Sequence, residues 1–377
     1  MTDSQRDDLA LLSSDLFASR LSRRSFLKRG IAAGIGLTAL GAVLAACSSS
    51  GATTAPASGA ANAVNVAKLN IFHVPKFTGF IFFELARKGI KEAVLALGVD
   101  AGNSGEGNTY IGADKADTQQ QVQVLQNIVP QKPDLLLLAA LDVNANGPSL
   151  TKMRSAGCKV VTYDSDVSVD TRDGFINMMT FPQQAAAILD SALANEPAGG
   201  KAIWMGVTPT TTNIVAQKTA IDQLIKDQPD KYGKIVFLDT LFMNDDPDTA
   251  KRMATDALSA HPDLKFFLSG SSMATPACNQ AIIDTGNKGK VWATGFGLPS
   301  MMSTYLADGT CKQFALWSPL DLGYLAAQLG VQLCLGTVKA ESGAKFSGGR
   351  LGDRSLDDSK VAILGAPMFF TKDHPDF

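Results

Sequence analysis

Residues 68–98 read KLNIFHVPKFTGFIFFELARKGIKEAVLALG. LNIFHV is apolar and β-prone, whereas the run from Glu84 repeats its apolar positions at helical spacing. Between them, Pro75–Phe83 crowds a lysine and four phenylalanines around the pair Thr78-Gly79. The stretch is therefore a strand-to-helix turn, and such turns are usually short and polar. Rings beside a lysine suit the wall of a cleft better than a bare connection. Lysines belong mostly at the solvated surface, but Lys76 follows a proline at a strand end and is expected to point into the cleft. Adjacent residues on a helix point in different directions, so one of Phe82 and Phe83 is expected in the cleft and the other in the core. The residues leave open which.

The alternation continues to the C-terminal region. Strand-like runs fall at 134–140, 159–164, 174–179, 201–207, 234–240, 265–270, 290–296 and 312–317, and segments such as Gln119–Val129, Thr212–Lys226 and Pro247–Ala260 have helical spacing. Apolar strands separated by helices argue for parallel sheets covered on both faces. A chain of 377 residues, 45% hydrophobic and 19% charged, can bury more than one core. So many strand–helix units exceed one sheet, and the expected fold is α/β with two doubly wound, Rossmann-like lobes.

In such sheets a ligand binds beyond the carboxyl ends of the strands. Those ends carry Lys76, Asp164-Ser165-Asp166, Asn177, the run Thr208–Asn213, Ser269-Gly270-Ser271-Ser272, Gly295-Phe296-Gly297 and Trp317. Hydroxyls, amides, a carboxylate pair, one cation and several rings suit a neutral, polyhydroxylated ligand, whose hydroxyls meet charged partners while its C–H faces lie on aromatic groups. Plainer roles compete at several positions. Asp166, more readily than Asp164, could be an N-cap, the threonine run with Asn213 could cap a helix, and Trp317 could be a sugar platform or hinge packing. Asp164 and Asp166 could also form a glycosidase pair. Otherwise catalytic constellations are missing: His73, His261 and His374 have no GxSxG serine, and no GxGxxG or P-loop occurs. The chain is expected to bind without a cofactor or metal and not to catalyse.

Residues 1–47 read as an address. Ser22-Arg23-Arg24-Ser25-Phe26-Leu27-Lys28 precedes an uncharged run, Ile31 to Ala46, which ends in Leu44-Ala45-Ala46-Cys47. The first feature looks like a twin-arginine export signal and the last like a lipobox, with Cys47 as the lipidated residue. The small polar segment 48–67 is a flexible tether. An extracytoplasmic, lipid-anchored location follows, which removes most ATP- or NAD-dependent chemistry on grounds of availability. Cys158, Cys278, Cys311 and Cys334 are expected to be free and buried. No CxxC spacing suggests zinc, and a net charge of −2 without a basic block after the first thirty residues offers nothing to nucleic acid.

The ordered segments VPK…GFIFFELARKGIKEAVLALGVD, TQQQVQVLQNIVPQKPDLLLLAALD, AGCKVVTYDSD and ATGFGLPSMMSTYLADGTCKQFALWSP resemble the solute-binding proteins of ABC sugar importers. The resemblance is to the ribose-binding type I periplasmic class, nearest its rhamnose- and autoinducer-2-binding branch, over Lys68–Phe377. It implies two lobes joined by three hinge strands: an N-terminal lobe of 68–178 plus 319–345 and a C-terminal lobe of 179–318 plus 346–377. It further implies a monomer that closes on a small sugar and hands it to a membrane permease. The branch's polar contacts fall on Lys76 and Asp164, which match. Its Asp-Gln pair falls on Asn213 and Ile214, and its Pro and Ala on Gly270 and Ser272. With a carboxylate and an amide lost and a hydroxyl gained, a simple sugar or sugar alcohol is expected rather than the autoinducer. An autoinducer-2-like or sugar-sensing receptor, presenting its ligand to a sensor, is the neighbouring alternative. A repressor with the same lobes would begin with a helix-turn-helix instead of an export signal.

Overall fold

The computed structural model describes residues 68–102 and 106–377. The export signal, Cys47 and the tether lie outside the described residues. Among the described residues no helix is long and apolar enough to cross a membrane.

The described residues begin with β1 (Ile71–Val74), α1 (Ile81–Ala96), β2 (Thr109–Tyr110), α2 (Thr118–Ile128), β3 (Leu135–Leu138), α3 (Gly147–Ser155), β4 (Lys159–Tyr163) and β5 (Gly174–Asn177). They continue through α4 (Phe181–Asn195), β6 (Gly200–Gly206), α5 (Thr212–Asp227), the short α6 (Pro229–Tyr232), β7 (Ile235–Phe242), α7 (Pro247–Ala260), β8 (Leu264–Ser269), α8 (Ala274–Asp284), β9 (Trp292–Gly295), α9 (Pro299–Ala307) and β10 (Gln313–Leu316). Then come α10 (Pro319–Cys334), β11 (Lys345–Phe346), β12 (Arg354–Ser355), β13 (Val361–Ile363) and β14 (Met368–Thr371).

The first sheet has the order β2-β1-β3-β4-β5-β13 and is parallel throughout. All four leucines of β3 are fully buried, as a parallel strand covered on both faces requires. The second sheet, β7-β6-β8-β9, is also parallel. A bridge from Phe296 to Ala315 carries it to β10, which pairs antiparallel with β14. Both halves therefore follow one doubly wound order and differ in the sense of their last strand. The chain passes between them after β5, after β10 and after β13.

The third passage departs from the expected division. Residues 346–377 were assigned to the C-terminal lobe, yet β13 pairs with β5 in the first sheet, from Val361–Phe175 to Ile363–Asn177. Only β14 joins the second sheet's edge. β13 is three residues long, with no helical run between it and β14, so neither carries an alternation signal. β2, at two residues, is equally silent.

Helix starts are fixed by local chemistry: Asp117 accepts from the Gln120 amide, Thr180 and Gln183 form a capping box, and Ser318 accepts from the Asp321 amide. Helices α1 and α10 cross at glycines. A Cβ on Gly89 would lie 1.9 Å from the Leu320 carbonyl oxygen, and one on Gly323 would lie 2.1 Å from that of Ala86. This close approach brings the start of α1, with its ring cluster, against the start of α10, immediately after Trp317.

Candidate functional site

A cleft of about 380 Å3, open to solvent at its mouth, is lined by Lys76, Phe80, Phe82, Phe83 and Asp164 from the first sheet's loops. Val207, Asn213, Ile214, Asp245 and Gly270–Ser272 line it from the second, and Trp317 from the passage between them. All eight residues expected at the site thus meet in one cavity.

The first wall is built on the ends of two strands that flank β3. Lys76 follows β1 and Asp164 follows β4, and their side chains form an ion pair at 2.8 Å with both residues about 95% buried. Asp164 has a left-handed backbone (φ +62°), a strained conformation that aspartate tolerates better than most residues. Directly beneath, His73 and Tyr163 share a hydrogen bond of 2.6 Å, so the strands carrying the ion pair are also tied by side chains. Burial, aided by Arg87, lowers the pKa of His73 to about 3, and burial raises that of Tyr163 well above its ordinary value. On the other flank, fully buried Gln121 of α2 donates to the carbonyls of Pro75 and Ala139 and accepts from the Leu141 amide. It clamps the ends of β1 and β3, a role that its position in a polar helical run did not suggest.

The rings settle the open choice between Phe82 and Phe83 differently from expectation, because both are buried and both line the cleft. They stand in the first turn of α1, where the helix end abuts the cavity, so residues on two sides of the helix reach it. Phe82 meets Trp317 edge-on at 5.9 Å, and Phe83 packs edge-on against Phe77 and Phe80. Trp317 also packs against Phe296 at 4.9 Å, so it is hinge packing and cleft wall at once. Its indole N–H is buried without a partner among the described residues.

The second wall is mostly uncharged. Asn213 sits in the first turn of α5, and its carbonyl oxygen accepts from Ser165 Oγ (2.7 Å), Lys76 Nζ (3.3 Å) and the Ile214 amide (3.0 Å). The first two bonds reach across from the first sheet's loops. Thr208, rather than Asn213, organises the threonine run by accepting from the amides of Thr210 and Thr211. Gly270 lets the loop after β8 approach α5, since a Cβ there would lie 1.6 Å from Gln217 Oε1. Gln217 donates to Gln184, which donates to Asn177, so a buried amide chain runs from α5 to the end of β5. Asn177 serves that chain instead of the cleft.

One polar member of this wall, Asp245, was missed. Asp245 follows β7, which runs to Phe242 and two residues past its expected end. Met243 and Asn244 still bond to Gly206 and Val207, and left-handed turns at Asn244 and Asp245 (φ +56° and +50°) bring Asp245 to the cleft. Ser271 Oγ donates to its carboxylate at 2.5 Å. Burial raises the pKa of Asp245, opposed by Lys76 and Ser271. The signal was available in Met243-Asn244-Asp245-Asp246, a turn-forming run at a strand end like those that pointed to Asp164 and Asn213.

Asp166 departs from the capping role. Arg172, itself buried, holds it through Nε and Nη2 at 2.6 and 2.8 Å, and Thr162 donates to it at 2.6 Å. Its carboxylate is thus engaged away from the cleft, and the site does not present Asp164 and Asp166 as a pair. Cys158, Cys278 and Cys311 are free and buried, whereas Cys334, also free, is partly exposed at the end of α10.

Residues 71–337 match the model of the periplasmic binding protein domain. The D-ribose/D-allose-binding protein of Pseudomonas aeruginosa is 27% identical over 211 residues, which span 54% of this chain and 65% of that protein, just under two thirds of its length. Among solved structures, a sugar ABC transporter protein from Actinomyces odontolyticus is 33% identical, with a TM-score of 0.65 over 82% of this chain and 96% of that one. An ABC transporter solute-binding protein from Clostridium phytofermentas with bound L-rhamnose is 25% identical, with a TM-score of 0.75 over 82% of this chain and 98% of that one. With its two doubly wound lobes, triple passage and cleft between the strand ends, the chain belongs to the periplasmic binding protein family, in the type I class of sugar-binding proteins of ABC transporters.

Proposed function

We propose that the protein is a lipid-anchored, extracytoplasmic solute-binding protein that captures a monosaccharide or sugar alcohol and delivers it to an ABC permease. The observation that carries the reading is the meeting of Lys76 and Asp164 from one lobe with Asn213 from the other inside one aromatic-walled cleft. A ligand bonded to both lobes is held only when they are closed, so capture stabilises the closed form. Lys76, Asp164 and Asn213 are the polar anchors, the loop Gly270–Ser272 approaches the ligand from the second lobe, and Phe82, Phe83 and Trp317 cover its C–H faces. The names of the relatives, one a ribose/allose binder and one holding L-rhamnose, favour a pentose, a hexose or a 6-deoxyhexose. The protein acts as a monomer, without catalysis.

A thermal-shift screen against tetritols, pentitols, pentoses, hexoses and 6-deoxyhexoses, followed by calorimetry, tests the reading, because a ligand of the folded state raises its melting temperature. Binding with the ligand recovered intact is expected, and failure of every sugar and polyol would overturn it. For the anchor, Cys47→Ala is expected to release the protein from the membrane fraction, and Arg23→Lys with Arg24→Lys to hold it in the cytoplasm.

A further inference from the structure

The charged side chains lining the cleft are Lys76, Asp164 and Asp245, one cation against two carboxylates. The cation is already committed to Asp164 at 2.8 Å. Asp245 is hydrogen-bonded by the neutral Ser271 hydroxyl and shares the field of Lys76 with Asp164. A ligand that completes these groups must give protons to the carboxylates. A hydroxyl does so, a ligand ammonium would neutralise Asp245, and a ligand carboxylate or phosphate would face it as a like charge inside a partly dehydrated cavity, where repulsion is large. The left-handed turn at Asn244-Asp245 holds this carboxylate at a cost in backbone strain, as at Asp164.

We infer that Asp245, oriented by Ser271, is a specificity-determining residue that admits hydroxyl- or amino-bearing sugars and excludes sugar acids and sugar phosphates. This rests on the solute-binding reading above, and its test separates the two. Purified full-length protein is titrated calorimetrically at pH 7.5 with D-ribose, D-allose, L-rhamnose, D-arabinose and ribitol. Any neutral compound that binds is then compared with its carboxylate and amino-deoxy analogues, in wild type and in Asp245→Asn.

The wild type is expected to bind the neutral compound and to bind its acid at least about 100-fold more weakly. The amino analogue should bind at least as well as the neutral parent. Asp245→Asn is expected to lose about tenfold for the neutral compound and to narrow the gap to the acid to less than about tenfold. Ser271→Ala keeps the charge and frees its orientation, so it should weaken the neutral compound while still excluding the acid. This second variant decides the matter should Asp245→Asn fail to fold, because an acid that Ser271→Ala binds within about tenfold of the neutral compound, with the charge still in place, would refute selection by charge. Neutral binding with unchanged discrimination in Asp245→Asn overturns the inference alone. Absence of binding by every neutral probe overturns the solute reading, and the inference with it.

Discussion

The wall that the first lobe presents to the cleft carries a buried ion pair and phenylalanine rings from a single turn, whereas the second lobe presents Asn213, the loop Gly270–Ser272 and one carboxylate from a left-handed turn. Their foundations differ as well. Beneath the first wall lies a bond between two titratable side chains, His73 and Tyr163. Beneath the second lies a chain of neutral amides through Gln217 and Gln184. The first lobe thus holds a preformed charged anchor on a stiff apolar support. The second offers short polar groups close to the backbone, where one carboxylate can set selectivity.

If the first wall is also core, its rings should dominate stability. Phe82→Ala is expected to cost about 3–5 kcal/mol in chemical denaturation, as for a large buried aromatic. Ser272→Ala, on the opposite wall, deletes a hydroxyl that forms no hydrogen bond among the described residues and should cost far less. Comparable losses would break the contrast.

Acid should also act through the first lobe. The pKa of His73 is lowered to about 3 from 6.5, so between those values the unfolded chain takes up a proton that the folded lobe refuses. Its contribution is fully present above pH 6.5 and is lost on acidification, at up to about 1.4 kcal/mol per pH unit. Stability measured from pH 7 to pH 4 should show that slope, and His73→Phe should flatten it. A slope unchanged by the substitution would place acid sensitivity elsewhere.

The ion pair governs the next effect. Asp164→Ala is expected to weaken binding of whichever neutral sugar the screen identifies by about 1.5–3 kcal/mol, the range for a hydrogen bond to a charged group. Calorimetry showing unchanged affinity would remove Asp164 from the site.

The two walls also differed in how far they could be read from sequence. The β1–α1 turn was legible because its composition is abnormal for a turn, and Asp164 because it follows an unmistakable apolar strand. Asp245 was not, because β7 is a partly exposed edge strand whose apolar run breaks at Asp239 and Thr240, so its end was placed too early. The parallel, doubly wound character of the sheets follows from alternation, but β13 falls in the lobe opposite to the expected one because three residues pairing across a long sequence separation leave no periodicity. Gln121, Gln184 and Gln217 were invisible for a further reason. A glutamine on a helix reads as solvated until the fold places backbone carbonyls and amides, or another buried amide, around it.

The smallest expected effect tests the second wall where it touches the first. Asn213 offers one oxygen to Lys76, Ser165 and its own helix, while its amide nitrogen forms no hydrogen bond with the described residues. If that nitrogen serves the ligand as a neutral donor, Asn213→Ala should cost about 0.5–1.5 kcal/mol of affinity, less than Asp164→Ala. The comparison can fail in an informative way. Lys76 would keep its ion pair but lose its contact across the cleft, so if Asn213→Ala costs more than Asp164→Ala, the main role of Asn213 is to latch the lobes around Lys76. Calorimetry of the two single variants and the double variant separates these outcomes. Independent ligand contacts give additive losses, whereas a shared latch through Lys76 gives a double variant no worse than its poorer parent.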